Sequence, residues 1–363
     1  MADYFATLNL QFEDFKFVNF DNCQEHFETN YSHQKIIQTD PDIKIYDNVL
    51  YTPSKRVSSD EIYGCLFDED RNRIESSCLR RGEKTYLTND SLTSDIPNSL
   101  DRGNANYFDH EVFYLGWIIN QYGHFLLESL ARCWSIVDQI KKAKYYLVHP
   151  WNNNCLNPKH VTLFFDLLGI DKNKIIYFEE PTIIKRVIVA QAAFQIRSHV
   201  FSRYRNIFRH IVEKLDIKID LVQQTEQPLY FSRSLLSDKS RKVRGEHKLE
   251  RILTKHGFQI VHPQFIPIKE QIYLINRHKY IMGCIGSAMH NLLFSLSPKM
   301  VTYFTSVYPN GNYLLIDKCL DISSTYVKSL TVDKKCNKSG FQKNNVLNFD
   351  LIIEHLKNNN FIS

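Results

Sequence analysis

The stretch Lys279-Tyr280-Ile281-Met282-Gly283-Cys284-Ile285-Gly286-Ser287-Ala288-Met289-His290-Asn291-Leu292-Leu293-Phe294 decides the fold class. Its first part, 279–282, is a short apolar run suited to a buried strand; two glycines then make a turn, and an apolar helical pattern opens at Ser287. Strand, glycine turn and helix in that order are the unit from which parallel sheets are built. The turn also carries chemistry. Glycines admit a ligand close to the backbone, and the amides of Ser287, Ala288 and Met289 at a helix N-terminus attract negative charge. A diphosphate fits there, although a tight connection without a ligand has the same appearance.

Outward from this stretch the alternation continues. Upstream stand a strand at 229–232, a helix at 246–256, a strand at 258–261 and a helix at 269–276; downstream a strand covers 300–304. In the helix 246–256, Leu249, Ile252 and Leu253 share a face and Gly257 supplies the stop. The preceding half reads the same way, with strands at 112–115, 145–148, 175–178 and 187–190 and helices at 124–140, 159–168 and 201–215. The expected class is α/β, with two doubly wound, Rossmann-like units. Residues 1–110 are irregular, with strand-like runs such as 44–51 broken by polar stretches at 68–72 and 89–106. The expected domains are 1–217, Rossmann-like from 111, and 218–345, joined by a linker at 218–227. A closing helix within 346–363 is expected to cross back onto the first domain.

A chain of 363 residues is long enough for two cores, and 43% hydrophobic with 23% charged residues describes a globular protein. A net charge of +5 tolerates a polyanionic ligand without calling for nucleic acid. Eight cysteines without a Cys-x-x-Cys pair suggest neither a zinc module nor a disulfide framework. The acidic groups Asp40-Pro41-Asp42 and Asp68-Glu69-Asp70 read as surface acidity, so no metal or other cofactor is expected. The first residues lack the basic start and apolar core of a secretory signal, and no run approaches the roughly 20 apolar residues of a membrane span. A cytoplasmic protein is expected, at most peripheral to the inner face of the membrane.

Two further constellations carry chemistry. Ser232-Arg233 closes a strand and is followed by the basic cluster Lys239, Arg241, Lys242 and Arg244. Guanidinium groups bind phosphate oxygens bidentately and stay charged, which suits a leaving diphosphate; a solvated loop is the bland alternative. Both this cluster and the glycine turn fall at the carboxyl ends of strands, where ligands of open sheets bind. The other constellation is Tyr122-Gly123-His124-Phe125-Leu126-Leu127-Glu128-Ser129-Leu130-Ala131-Arg132. His124 and Glu128 stand i, i+4 on one helix face, and a carboxylate can orient an imidazole that removes a proton from a hydroxyl. Equally, His124 could pack the helix start while Glu128 pairs with Arg132.

Taken together, these segments resemble glycosyltransferase family 61. The resemblance rests on His124 to Glu128 near Arg132, on Tyr230-Phe231-Ser232-Arg233 with Arg241 and Glu246, and on Gly283 to Asn291 followed by Leu292-Leu293-Phe294. It implies a GT-B architecture, two Rossmann-like domains facing across a cleft, and metal-independent transfer with inversion from a nucleotide sugar to a glycan or lipid-linked glycan. UDP is the implied nucleotide, with N-acetylglucosamine or xylose as its sugar, and polysaccharide or capsule synthesis as the setting. Arg233, Arg241, Gly286, Ser287, Ala288 and Met289 become donor-diphosphate ligands, and Ser232, Glu246, His262 and Asn291 further donor-site candidates. His124 and Glu128 become the catalytic pair. The chain departs from the family pattern with Glu128 for Asp, Gly245 for Asn and Ile285 for His. A dehydrogenase would need a Gly-x-Gly-x-x-Gly turn opening the first unit, which is absent from the sequence. An inactive nucleotide-sugar or glycan-binding protein of the same fold stays open.

Overall fold

Asn106–Ile118 is the strand around which the first unit is built; its second half is buried throughout, as a central strand covered on both faces must be. The computed structural model describes residues 6–56, 62–82, 85–86, 106–138, 144–219, 224–236, 242–333 and 345–363. They form two units, Met1–Leu8 with Lys35–Lys214 and Asn9–Gln34 with Leu215–Ser363. The class is mixed α/β.

In the first unit Asn106–Ile118 pairs in parallel with Tyr145–Pro150 on one side and Thr182–Ala190 on the other, and Ile175–Ile176 extends the sheet beyond Tyr145–Pro150. Ile43–Tyr51 and Leu66–Phe67 continue it antiparallel beyond Thr182–Ala190. Counted in chain order, the parallel strands lie third, second, first, fourth, the order of one Rossmann half, with its reversal at the carboxyl end of Asn106–Ile118. Val49, Tyr51, Val112, Tyr114, Leu147, Ile184 and Val189 fill the core beside this sheet.

The helix expected over 124–140 is broken. A turn of α-helix, Tyr122–His124, runs into a π-helical turn, Phe125–Ser129, then a 3-10 turn, Leu130–Arg132, before α-helix resumes at Trp134–Asp138. Side chains intrude on the ladder here. The Tyr204 hydroxyl donates to the Leu126 carbonyl, and the Ser129 hydroxyl accepts from the Ile119 amide at 2.8 Å.

The second unit holds a six-stranded sheet in the order Gln259–Val261, Leu229–Phe231, Tyr280–Cys284, Met300–Thr305, Ser323–Lys328, Phe15–Val18, parallel at every pairing. Two assignments from sequence are corrected. Residues 9–34 belong with this unit and not with 1–217, because their aromatic side chains find partners in it: Phe17 stacks on Tyr326 with ring centroids 5.6 Å apart, and the Tyr31 hydroxyl donates to the Pro309 carbonyl at 2.6 Å. The closing helix, Phe349–Asn358, does not cross back; Ile352 and Leu356 are buried against Leu249, Leu253, Tyr230 and Phe304 of the second unit. Elsewhere in the sheet, the hydroxyls of Tyr303 and Tyr326 both donate to Asp317 of the helix Gly311–Cys319. Burial lifts that carboxyl to about 7 despite both bonds.

Leu356 is fully buried, so Leu356→Ala should cost about 2–5 kcal/mol of stability. Urea unfolding measures this, and a loss near zero would contradict the packing of the closing helix in this core.

Candidate active site

The carboxyl end of Asn106–Ile118 leads through a short connection to His124, so the imidazole stands where the strand order reverses. His124 Nδ1 lies 2.6 Å from Glu128 Oε2. Glu128 is also gripped by Arg81, Nε to Oε1 at 2.8 Å and Nη2 to Oε2 at 2.9 Å, a bidentate pair. Its side chain is only 3% exposed. Burial pushes the Glu128 carboxyl up, but the hydrogen bonds from His124 and Arg81 and the Arg81 charge outweigh it and hold the group below its ordinary range. An ionised carboxylate only accepts, so Nδ1 carries the proton and donates. Arg81 Nη2, 3.2 Å from Nδ1, is a second donor facing a donor, and its hydrogen goes to Glu128. The lone pair of neutral His124 is therefore on Nε2, on a side chain 37% exposed. A carboxylate beside an oriented, partly exposed imidazole is an arrangement from which a general base can be built.

Arg132 does not pair with Glu128. Its guanidinium turns to the Ser76 carbonyl and the Tyr114 ring.

In the second unit Leu229–Phe231 and Tyr280–Cys284 are parallel neighbours in register, Phe231 beside Gly283, yet other elements separate them along the chain. The strand order reverses between them, and a crevice at their carboxyl ends is the ligand position of such sheets. Arg233 and the glycine turn fall there. Arg233 Nη1 donates to the Ile285 carbonyl at 3.0 Å, and a Cβ on Gly286 would stand 3.2 Å from the same nitrogen. Arg233 has no carboxylate partner among the described residues, so the rest of its fork keeps both charge and donors. Gly286 precedes a 3-10 helix, Ser287–Phe294, and Ser287 is exposed at its start. The Met289 amide donates to Gly286 O at 2.9 Å and is spent within this turn; Ser287 and Ala288 supply the leading amides.

The remaining candidates mostly brace this crevice. Glu246 is buried and its Oε1 accepts from the Arg233 amide at 3.0 Å and the Tyr230 hydroxyl at 2.8 Å. Burial raises its carboxyl above the ordinary range. Ser232 and Ser234 hydroxyls both donate to Glu250 Oε1, and His262 Nε2 stands 3.8 Å from that oxygen. Burial pushes the Glu250 carboxyl up, but these bonds outweigh it and lower it. Asn291 is buried and its amide donates to Gln271 Oε1 at 2.7 Å. Arg244 is paired with Asp333 at 2.7 Å, and Arg241 lies outside the described residues. Among the described residues no three His, Cys, Asp or Glu side chains gather as a metal site, and no helix is long and apolar enough to cross a membrane.

The family model for glycosyltransferase 61 matches residues 122–303, half of the chain. The chain belongs to the glycosyltransferase 61 family. No curated protein matches it. Glycosyl transfer is the activity this membership carries. The matched span of this family 61 chain holds His124, Glu128, Arg233 and the turn at Gly286, whereas Arg81 precedes it. Arg81 and Glu250 escaped the sequence reading. Arg81 sits in the irregular N-terminal region far from its partners, and Glu250 follows Glu246 by one helical turn, a spacing that could have flagged it.

Because Glu128 is held below its ordinary value of 4.5, its contribution to stability is complete above that value and is lost as pH falls through the lower, folded value. The stability difference between the unaltered protein and Glu128→Gln should be constant near neutrality and shrink below about pH 4.5. Urea titrations across that range test it; a difference that grows on acidification would refute the ionised assignment.

Proposed function

We propose that the protein transfers a monosaccharide with inversion, and without a metal, from a nucleotide sugar to a hydroxyl of a glycan or lipid-linked glycan. The observation that carries the donor side is the pairing of Arg233 with Ile285 O beside Gly286, at the strand reversal of the second unit. That arrangement offers a fixed guanidinium and the leading amides of Ser287 and Ala288 to a diphosphate. Arg241 joins them in this reading. The Ile285 contact runs through its backbone carbonyl, which any side chain at that position supplies.

In the proposed reaction the acceptor hydroxyl gives its proton to His124 Nε2 while its oxygen attacks the anomeric carbon. The bond from that carbon to the diphosphate oxygen breaks on the opposite face, and the electron pair leaves with the nucleoside diphosphate. Glu128 stabilises the imidazolium as it forms, and Arg81 keeps Glu128 ionised. Arg233, Arg241 and the helix start at Ser287 stabilise the charge that grows on the leaving group. In this reading the two units are the acceptor and donor halves of a GT-B transferase. UDP is the nucleotide, with N-acetylglucosamine or xylose as the sugar, in cytoplasmic polysaccharide synthesis.

Incubation with a panel of nucleotide sugars should show slow donor hydrolysis for one of them; binding without hydrolysis would favour an inactive binding protein. His124→Ala should lower turnover by about 10²–10⁴-fold with donor affinity nearly unchanged. Arg233→Ala should weaken donor binding about tenfold or more. Calorimetry with the nucleoside diphosphate separates the two effects, and equal loss of affinity in both variants would overturn the division of roles.

A further inference from the structure

Further along the segment that carries His124 stands a cation with no carboxylate paired to it among the described residues. Arg132 is 4% exposed, donates to the Ser76 carbonyl and lies with Cζ 5.4 Å from the centre of the Tyr114 ring. Among the described residues it has no carboxylate partner, and its Nε has no hydrogen-bond acceptor. A guanidinium does not shed its proton, and burying it uncompensated costs several kcal/mol. Burial raises the neighbouring Tyr114 hydroxyl and Cys133 thiol, while the Cys78 thiol beside them is lowered by its hydrogen bond with Cys65.

The fold makes deliberate room for this charge. Gly116 interrupts the register of the central strand, and at φ +92° it adopts a conformation that favours glycine. A Cβ there would lie 2.6 Å from Arg132 Nη1. A side chain in that strand would expel the guanidinium.

Arg132 forms part of the wall of a cavity of about 420 Å³ within the first unit, a volume suited to a small ligand. Asp42, Asp68, Gln191, Gln195 and Tyr46 share that wall. Planar carboxylates and amides with one aromatic ring are groups that bind the paired hydroxyls and apolar face of a sugar. The wall of the cavity and the grip on Glu128 share one short strand. In the strand Arg80–Arg81 successive side chains take opposite sides; Arg80 lines the cavity while Arg81 grips Glu128.

We infer that this cavity is an acceptor subsite for a sugar bearing a carboxylate or phosphate, with Arg132 taking the anionic group and the amides and carboxylates taking hydroxyls. The acceptor role rests on the transferase reading of His124; the binding itself does not. Calorimetry on the unaltered protein with glucuronic acid, glucose 6-phosphate and glucose tests it. One charged sugar should bind at least about tenfold more tightly than glucose, and which one does so identifies the anion. Equal affinity for all three, or no binding of either charged sugar at millimolar concentration, overturns the inference. Arg132→Gln, which keeps a donor for Ser76, should abolish the preference for charge. Crystals of the unaltered protein soaked with the preferred charged sugar give a readout independent of that variant: an anionic group on Arg132 supports the assignment, and a sugar bound elsewhere refutes it. A protein that binds a charged sugar here but hydrolyses no nucleotide sugar keeps the subsite and loses the transferase. Turnover on neutral acceptors alone does the reverse.

Discussion

A parallel sheet must carry the chain over one of its faces after every strand, and this constraint creates the site in the second unit. Where neighbouring strands are not consecutive in the chain, their exits depart toward opposite faces and their carboxyl ends are left open. Leu229–Phe231 and Tyr280–Cys284 are such a pair. The register that sets Phe231 beside Gly283 brings Arg233 against Ile285 and Gly286, residues remote in sequence. No local propensity could have done so. The same reversal in the first unit leaves the end of Asn106–Ile118 open, and His124 occupies it.

Backbone irregularity in the first unit follows from what the site must hold. A π-helical turn at Phe125–Ser129 widens the spiral where Glu128 turns inward, and such turns recur at functional positions. The carboxylate that results is nearly inaccessible, and an unpaired charge there would cost several kcal/mol. Arg81 and His124 compensate it from two sides, which also fixes the imidazole's tautomer and orientation. The ion pair is thus structural, and in the proposed reaction it is chemical as well.

Much of this was legible in the sequence, for a physical reason: strands and helices of a covered parallel sheet leave apolar runs and periods that a single chain displays. The elements from Leu229–Phe231 to Met300–Thr305 follow that pattern closely, and so does the glycine turn. What stayed hidden was decided by tertiary contact. Phe15–Val18 reads as any apolar segment until Tyr326 and Tyr308 stack against Phe17 and Phe20. The closing helix has an apolar face that the sequence cannot direct to one sheet or another. Gly245 shows how a departure can keep its physics: it adopts φ +92°, a conformation that asparagine also tolerates better than other side chains.

Two buried glutamates show how environment divides roles between identical groups. Glu128 accepts from Arg81 and His124 and is driven below its ordinary range; Glu246 accepts from the Arg233 amide and the Tyr230 hydroxyl, yet burial drives it above its own. Glu246 Oε2 is buried without a hydrogen-bond partner, so burial is not offset at that oxygen. A carboxyl raised in this way offsets less of the Arg233 charge, which the proposed reaction turns on a diphosphate. Its Oε1 fixes the loop by accepting from the Arg233 amide and the Tyr230 hydroxyl. In the proposed reaction the negative charge beside the imidazole helps it take a proton, while Glu246 serves the donor side by fixing the Arg233 backbone.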